Sequence, residues 1–235
     1  MTIIAMITAR STSSRFPRKH LADLGGLPMI VQIINRLKKL KELDEIVLAT
    51  TDNPEDDQLS IISETYAVTV VRGSEKNLAA RHGQVISKTN PTHVIDVSGD
   101  CPFFDTRALQ MIIYSMRDNP NYDIYGVTGP YSMLPGLIFG GHSLQWYQKA
   151  WQIFAKHHTE YSAEQYWIAT RLYPERFSTF MIDGSSRIDK TVTPMKMSID
   201  WNIERLFWNK IIKHLGFFPR GIDDINDAFK TITEL

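Results

Sequence analysis

Short apolar runs alternate with longer amphipathic stretches through the first half of the chain. "TIIAMITA" is continuous enough for a buried strand. "PMIVQIINRLKKLKEL" sets Ile30, Ile33, Ile34, Leu37 and Leu40 on one face of a helix. "DEIVLATT" predicts a second strand. "NPEDDQLSIISETY" predicts the next helix, with proline and acids at its start, where the helix dipole favours them. "VTVV" and "THVIDVSGD" predict two further strands. Helices over "EKNLAARHGQVISKT" and "DTRALQMIIYSMRD" follow them, the last capped by Asp105. This alternation implies a parallel sheet with crossover helices, the doubly wound α/β class. Ligands of such sheets bind in the loops at the carboxyl ends of the strands, and "TARSTSSRFPRK" and "SGDCP" both fall there.

The second half is less regular. "GPYSMLPGLIFGG" is rich in glycine and proline and reads as a loop or irregular hairpin. "SLQWYQKAWQIFAKHH" and "SAEQYWIATRLYPERF" read as helices with aromatic faces, "STFMI" and "MKMSID" as strands, and "NIERLFWNKIIKHLG" as a helix closed by Gly216. "DDINDAFKTITEL" reads as a final helix. Trp146, Tyr147, Trp151, Phe154, Tyr166 and Trp167 recur at helical spacing, which points to a core or a dimer interface before a base-stacking platform.

Composition narrows the class. With 235 residues, 43% of them hydrophobic, the chain can bury a real core. Its 26 basic residues balance 26 acidic ones, which argues against a whole-surface binder of nucleic acid or membrane. The single cysteine, Cys101, excludes an intrachain disulfide and suits a reducing compartment. No stretch is apolar and long enough to span a bilayer, and the opening run is too short for a secretory signal, so the expected location is cytoplasmic.

Against that neutral background, Arg10, Arg15, Arg18 and Lys19 stand among four hydroxyl side chains, Ser11 to Ser14, just after the first strand. Such a loop can offer hydroxyls, cations and backbone N–H groups to a triphosphate. It can equally be a solvated turn, and spacing alone does not decide. The P-loop and dinucleotide glycine motifs are absent, as are H-E-x-x-H, C-x-x-C and G-x-S-x-G. Asp100 and Asp200 each end an apolar segment. Two carboxylates from separate strand ends suit Mg²⁺, a cation that shares oxygen ligands with substrate phosphates, if they meet.

"ITARSTSSRFPRKHLADLGGLPMI" resembles the opening of the cytidylyltransferases of the spore-coat polysaccharide type, relatives of the CMP-ketodeoxyoctonate and CMP-sialate synthetases. Their pattern A-R-x-x-S-T-R-L-P-x-K-x-L, then L-x-G-x-P-L, is met by Ala9, Arg10, Ser13, Arg15, Pro17, Lys19, Leu21, Gly26 and Pro28. "DEIVLATTDNPEDD", "VVRGSEKNLAAR", "DVSGDCPFFD", "YPERF" and "SIDWNIE" continue the resemblance in order, most densely over the first 105 residues.

The resemblance implies a Rossmann-like, three-layer nucleotidyltransferase fold in one domain, 1–235. Residues 1–125 would form its nucleotide-binding half, and 126–235 its acceptor-sugar and dimerisation half. It implies transfer of CMP from CTP to a sugar, an ulosonic acid or a sugar phosphate, with pyrophosphate release, by a homodimer that needs Mg²⁺. Arg10, Arg15 and Lys19 would hold the triphosphate. Asp100 would bind the metal, with Asp200 as second carboxylate. Ala9, Ser11, Ser13 and Gly99 would lie along the nucleotide, and Arg72, Ser74 and Arg81 would border the nucleotide or sugar.

This chain departs from the pattern in places. Arg18 replaces the usual glycine, Trp201 and Asn202 replace a Thr-Pro, and "LPGLIFGG" lacks the acids of D-G-L-D-V-E. Two alternatives therefore stand beside the main expectation: an inactive homologue that binds nucleotide or sugar, and a transferase that uses another nucleotide.

Overall fold

The computed structural model describes residues 1–128, 140–157, 166–184, 197–219, 223–225 and 227–228. Nine strands and seven α-helices are assigned among them. In chain order they are β1 (Ile3–Thr8), β2 (Asp23–Leu24), β3 (Leu27–Pro28), α1 (Met29–Leu37), β4 (Glu45–Thr51), α2 (Asp57–Thr65), β5 (Thr69–Gly73) and α3 (Leu78–Thr89). There follow β6 (His93–Ser98), α4 (Thr106–Asp118), β7 (Ile124–Thr128), β8 (Gly141–Ser143), α5 (Leu144–His157), α6 (Ile168–Leu172), β9 (Thr179–Asp183) and α7 (Asn202–Leu215).

Seven strands form one sheet in the order β5-β4-β1-β6-β8-β7-β9. All pairings are parallel except those of β8, which runs against both β6 and β7. Alternation along β1 divides the core. Ile3, Ala5 and Ile7 pack with the apolar faces of α1, α4 and α7, while Ile4 and Met6 pack with α3, α5 and α6. The sheet is thus covered on both faces, as a parallel sheet requires. Trp146, Tyr147 and Tyr166 are buried in the second cluster, which makes them core.

Several expectations hold closely. Asp105 caps α4 by accepting from the N–H groups of Arg107 and Ala108 at 2.8 and 3.0 Å. Gly216, at φ 74°, closes α7. Others need correction. The helix read through Leu43 stops at Leu37, and successive turns carry Leu40 inward before Asp44 accepts from the N–H of Ile3 at 2.7 Å. The helix read over "SAEQYWIATRLYPERF" reduces to α6 and a 3₁₀ turn at Pro174–Arg176, its first residues lying outside the described ones.

"MKMSID" is not a strand over Met197–Asp200. Met197 and Ile199 are buried, but the N–H of Ile199 binds the carbonyl of Asp100 at 2.7 Å and its own carbonyl accepts from Lys19, so no neighbouring strand is needed. β7 and β8 were not foreseen. Most of "GPYSMLPGLIFGG" lies outside the described residues, as does most of the final segment, of which 223–225 and 227–228 are helical.

The loop after β1 does not run straight into an α-helix. It ends in a 3₁₀ turn at Lys19–Leu21, then the β2–β3 hairpin, and α1 begins only at Met29. Arg18 caps that turn with φ 56°, in the left-handed region that glycine enters without a Cβ penalty. Its guanidinium donates to Gln58 on α2. Arg18→Gly should therefore raise stability by about 1 kcal/mol, measured by urea unfolding at neutral pH.

Candidate functional site

The carboxyl ends of β1 and β6, with Glu75 after β5 and Leu78 and Arg81 of α3, face one cleft of about 590 Å³. Its lining includes Arg10, Ser13, Arg15, Lys19, Arg81 and Asp100, with Thr8 from the end of β1 and Ala9, Thr12 and Ser14 from the loop. Cations outnumber the anionic lining residues Glu75 and Asp100. Gly99 is not part of that lining; a Cβ there would come within 2.7 Å of the Ala9 Cβ and 2.9 Å of the Thr8 carbonyl, so it is glycine because the turn after β6 packs on the end of β1.

At the bottom of the cleft lies the Lys19 ammonium. It donates to Asp100 Oδ2 at 2.9 Å, to the Ile199 carbonyl at 3.3 Å and to Asp200 Oδ1 at 3.4 Å. The two carboxylates singled out from the sequence therefore do meet, on one ammonium. Arg15 adds a bond to Asp200 at 3.1 Å from an exposed position beside the Trp201 ring. Asp200 is oriented from below by α7, because Glu204 accepts from the N–H groups of Asp200 and Trp201.

Burial alone would raise the Asp100 carboxyl. The Lys19 charge and hydrogen bonds from Ser98, Lys19 and Cys101 outweigh it and hold the group at about 2. Cys101 is pushed up by burial and by that neighbouring carboxylate, so it stays a thiol and is no nucleophile.

The other residues named from the sequence are placed as follows. Arg81 lines the cleft and donates to the Ser74 carbonyl at 2.8 Å. Ser74 accepts from the Asn77 N–H at the start of α3 and is not part of the lining. Arg72 is turned aside: it bonds to the carbonyls of Thr51 and Asn53 and to Asp57 at 2.6 Å, which ties β5 to the β4–α2 turn. Ser11 is buried and points away from the cleft lining, its N–H bonded to Asp56 at 2.6 Å.

That aspartate was missed by sequence reading, where it looked like one more acid at a helix start. It is fully buried and also holds Thr51, so it pins the cationic loop to the end of β4. Glu75 was missed too, and it gathers Thr12, Asn53 and the Arg10 side chain around its carboxylate and carbonyl.

Two buried histidines flank the cleft. Burial, reinforced by the adjacent Lys19 charge, lowers His20 to about 4. Burial lowers His82 to about 4 as well, and its ring nitrogens are both engaged, by Thr8 Oγ1 and by the Tyr166 hydroxyl, each at 2.8 Å.

Fold and cleft define a Rossmann-like nucleotidyltransferase architecture. The model of the cytidylyltransferase family matches residues 4–162, and the chain belongs to that family. The spore coat polysaccharide biosynthesis protein SpsF of Bacillus subtilis is 31% identical over 132 residues, 54% of this chain and 55% of that protein. A 3-deoxy-manno-octulosonate cytidylyltransferase of Geobacter sulfurreducens is 30% identical over 51% of this chain and 47% of its own. The chain thus spans about half the length of the curated relatives it matches.

Among solved structures, a cytidylyltransferase from Leptospira borgpetersenii superposes with a TM-score of 0.84 over 99% of this chain and 96% of its own, at 21% identity. A CMP:2-keto-3-deoxy-manno-octonic acid synthetase in complex with CTP superposes with a TM-score of 0.66 over 91% of this chain and 99% of its own, at 16% identity. These likenesses concern the fold.

The two histidines make stability depend on pH. A histidine whose folded pKa lies below its unfolded value binds more protons when unfolded, so stability is full above about 6.5 and falls as pH drops toward 4. Urea unfolding at pH 7 and pH 5 should differ by on the order of 2 kcal/mol per histidine. His82→Gln should remove roughly one histidine's share of that difference.

Proposed function

We propose that the cleft binds CTP and that the protein transfers its CMP moiety to a sugar acceptor, releasing pyrophosphate. The observation that carries this reading is the Lys19 ammonium between Asp100 and Asp200, at the foot of a loop that presents Arg10 and Arg15. The family supports the nucleotide class.

In this reading Arg10, Arg15 and Lys19 neutralise the triphosphate and take up the charge that develops on the leaving pyrophosphate. The acceptor oxygen attacks the α-phosphorus in line, the bond to the β-phosphate oxygen breaks, and no protein nucleophile is needed. Ala9 and Ser13 border the substrate from the lining, and the Asp56 anchor keeps the loop in register while charge shifts. Positioning and electrostatics supply most of the rate, as in phosphoryl transfer generally.

Asp100 and Asp200 suit a divalent cation: both are carboxylates, they converge on a single charge, and Asp100 is held ionised. Mg²⁺ there would supply Lewis-acid stabilisation of the phosphates. When the triphosphate draws the Lys19 ammonium to its own oxygens, the two carboxylates are left available to such a cation.

Calorimetric titration with CTP, UTP, GTP and ATP in the presence of Mg²⁺ tests the proposal. CTP should bind, the others at least about tenfold more weakly, and Arg15→Ala should weaken CTP by about tenfold. Lys19→Ala should lose CTP binding further, and should cost about 3–5 kcal/mol of stability by leaving two carboxylates without their counter-charge. Absence of binding by every nucleotide, in folded wild-type protein, would refute it.

A further inference from the structure

Past Thr8, Leu78 and Ser98 the cationic cleft opens into a second cavity of about 560 Å³, which shares those three residues with it. Its character is opposite. Ile124, Trp146, Tyr166 and Trp167 give it apolar, aromatic walls. Among the described residues its lining carries one acid, Asp96, and one cation, Arg171, which is exposed.

Inside this cavity is a polar pair that the nucleotide reading does not use. His142 Nδ1 lies 2.8 Å from Asp96 Oδ2, and the Tyr147 hydroxyl donates to both oxygens of the same carboxylate at 2.7 Å. The imidazole is stacked on Trp146, with ring centroids 4.0 Å apart, so its plane is fixed. A carboxylate that accepts from Nδ1–H leaves Nε2 as a hydrogen-bond acceptor. That nitrogen meets no hydrogen-bond partner among the described residues, and the ring is part of the cavity wall. His82, the other imidazole here, has both nitrogens engaged.

The pair is also close to the first cleft. Asp96 stands two residues before Ser98 on β6, on the same face of the sheet, and Ser98 pairs with Thr8. Two residues of strand are roughly 7 Å, about the width of a pyranose ring.

We propose that this cavity seats an uncharged, hydroxyl-bearing ring of the acceptor, its apolar face on the aromatic wall, and that His142, oriented by Asp96, accepts a hydrogen bond from one ring hydroxyl. The word acceptor rests on the nucleotide reading of the first cleft. A phosphate or carboxylate inside the cavity would face Asp96, whereas at the mouth it meets Arg171 or the cations of the cleft. His142 is a specificity-determining residue in this scheme, and Asp96 acts through it as a positioning residue.

The test uses neutral methyl glycosides as probes: methyl glucoside, methyl rhamnoside and methyl N-acetylglucosaminide. Each is titrated into the nucleotide-free protein and followed by tryptophan fluorescence and saturation-transfer NMR. At least one should bind, with saturation concentrated on the protons of one ring face. Equal concentrations of inorganic phosphate or acetate should not displace it. His142→Phe keeps a ring against Trp146 but removes the acceptor nitrogen, and should weaken the glycoside by about fivefold. Trp167→Ala, at an exposed rim position where folding is not at stake, should weaken it too.

The proposal is overturned if no glycoside binds, if phosphate or acetate displaces one that does, or if folded His142→Phe and Trp167→Ala both bind as wild type does. CTP calorimetry on the same samples separates the two readings. CTP binding without glycoside binding removes the cavity proposal alone, and glycoside binding without CTP binding removes the nucleotide reading.

Discussion

A single buried ammonium holds this site together. Lys19 is 7% exposed, and a charge so far from water persists only with partners of opposite sign. Its partners come from widely separated parts of the chain: Asp100 at the end of β6, and Asp200 with the Ile199 carbonyl just before α7. The early loop, the central strand and the last long helix are therefore registered against one another by one side chain. Stacking of Trp208 on Phe103, with centroids 4.0 Å apart, fixes the same junction from the apolar side. The need to balance that charge explains why Met197–Asp200 runs as an irregular segment with its backbone bonds spent on Lys19 and Asp100.

The loops at the strand ends and the adjoining face of the sheet supply opposite environments to neighbouring ligand-sized spaces. Loops at the strand ends carry cations, hydroxyls and backbone N–H groups. One step back along β6, on the face packed by α3, α5 and α6, the lining turns aromatic and, away from Arg171 at the mouth, the described charge is the Asp96 carboxylate held by Tyr147 and His142. In the proposed reading an anionic group and an uncharged ring lie side by side, with Thr8 and Ser98 at the boundary. The two lowered histidines, His20 on the cationic cleft and His82 on the aromatic cavity beside Thr8, stay neutral at physiological pH, so they shape these spaces without adding charge.

How much of this was legible in the sequence follows from the range of the interactions. β1, β4, β5 and β6 could be read because strands buried on both faces are continuous apolar runs, and α4 because Asp105 is a local cap. β7 and β8 escaped because "DIYGVT" and "GHS" are short and carry glycine, and they hold their places through pairings set by distant strands. The Lys19 loop was legible as cationic, and its resemblance to a family implied a triphosphate ligand for it. Its convergence with both aspartates needed coordinates. So did the turn of Arg72 toward Asp57 and the inward position of Ser11, since a hydroxyl or guanidinium near a site looks the same in sequence whether it serves the ligand or the scaffold. Asp96 and His142 are 46 residues apart, and nothing local in either marks the pair.

The most direct test of the account is the ¹⁵N resonance of the Lys19 side-chain ammonium, assigned by its loss in Lys19→Arg. In the free protein it should be protected from solvent exchange and should move on both Asp100→Asn and Asp200→Asn. Addition of CTP with Mg²⁺ should move it further, and cytidine alone should not. An ammonium that exchanges freely, or that ignores both substitutions and the nucleotide, would contradict the claim that this one charge organises the site.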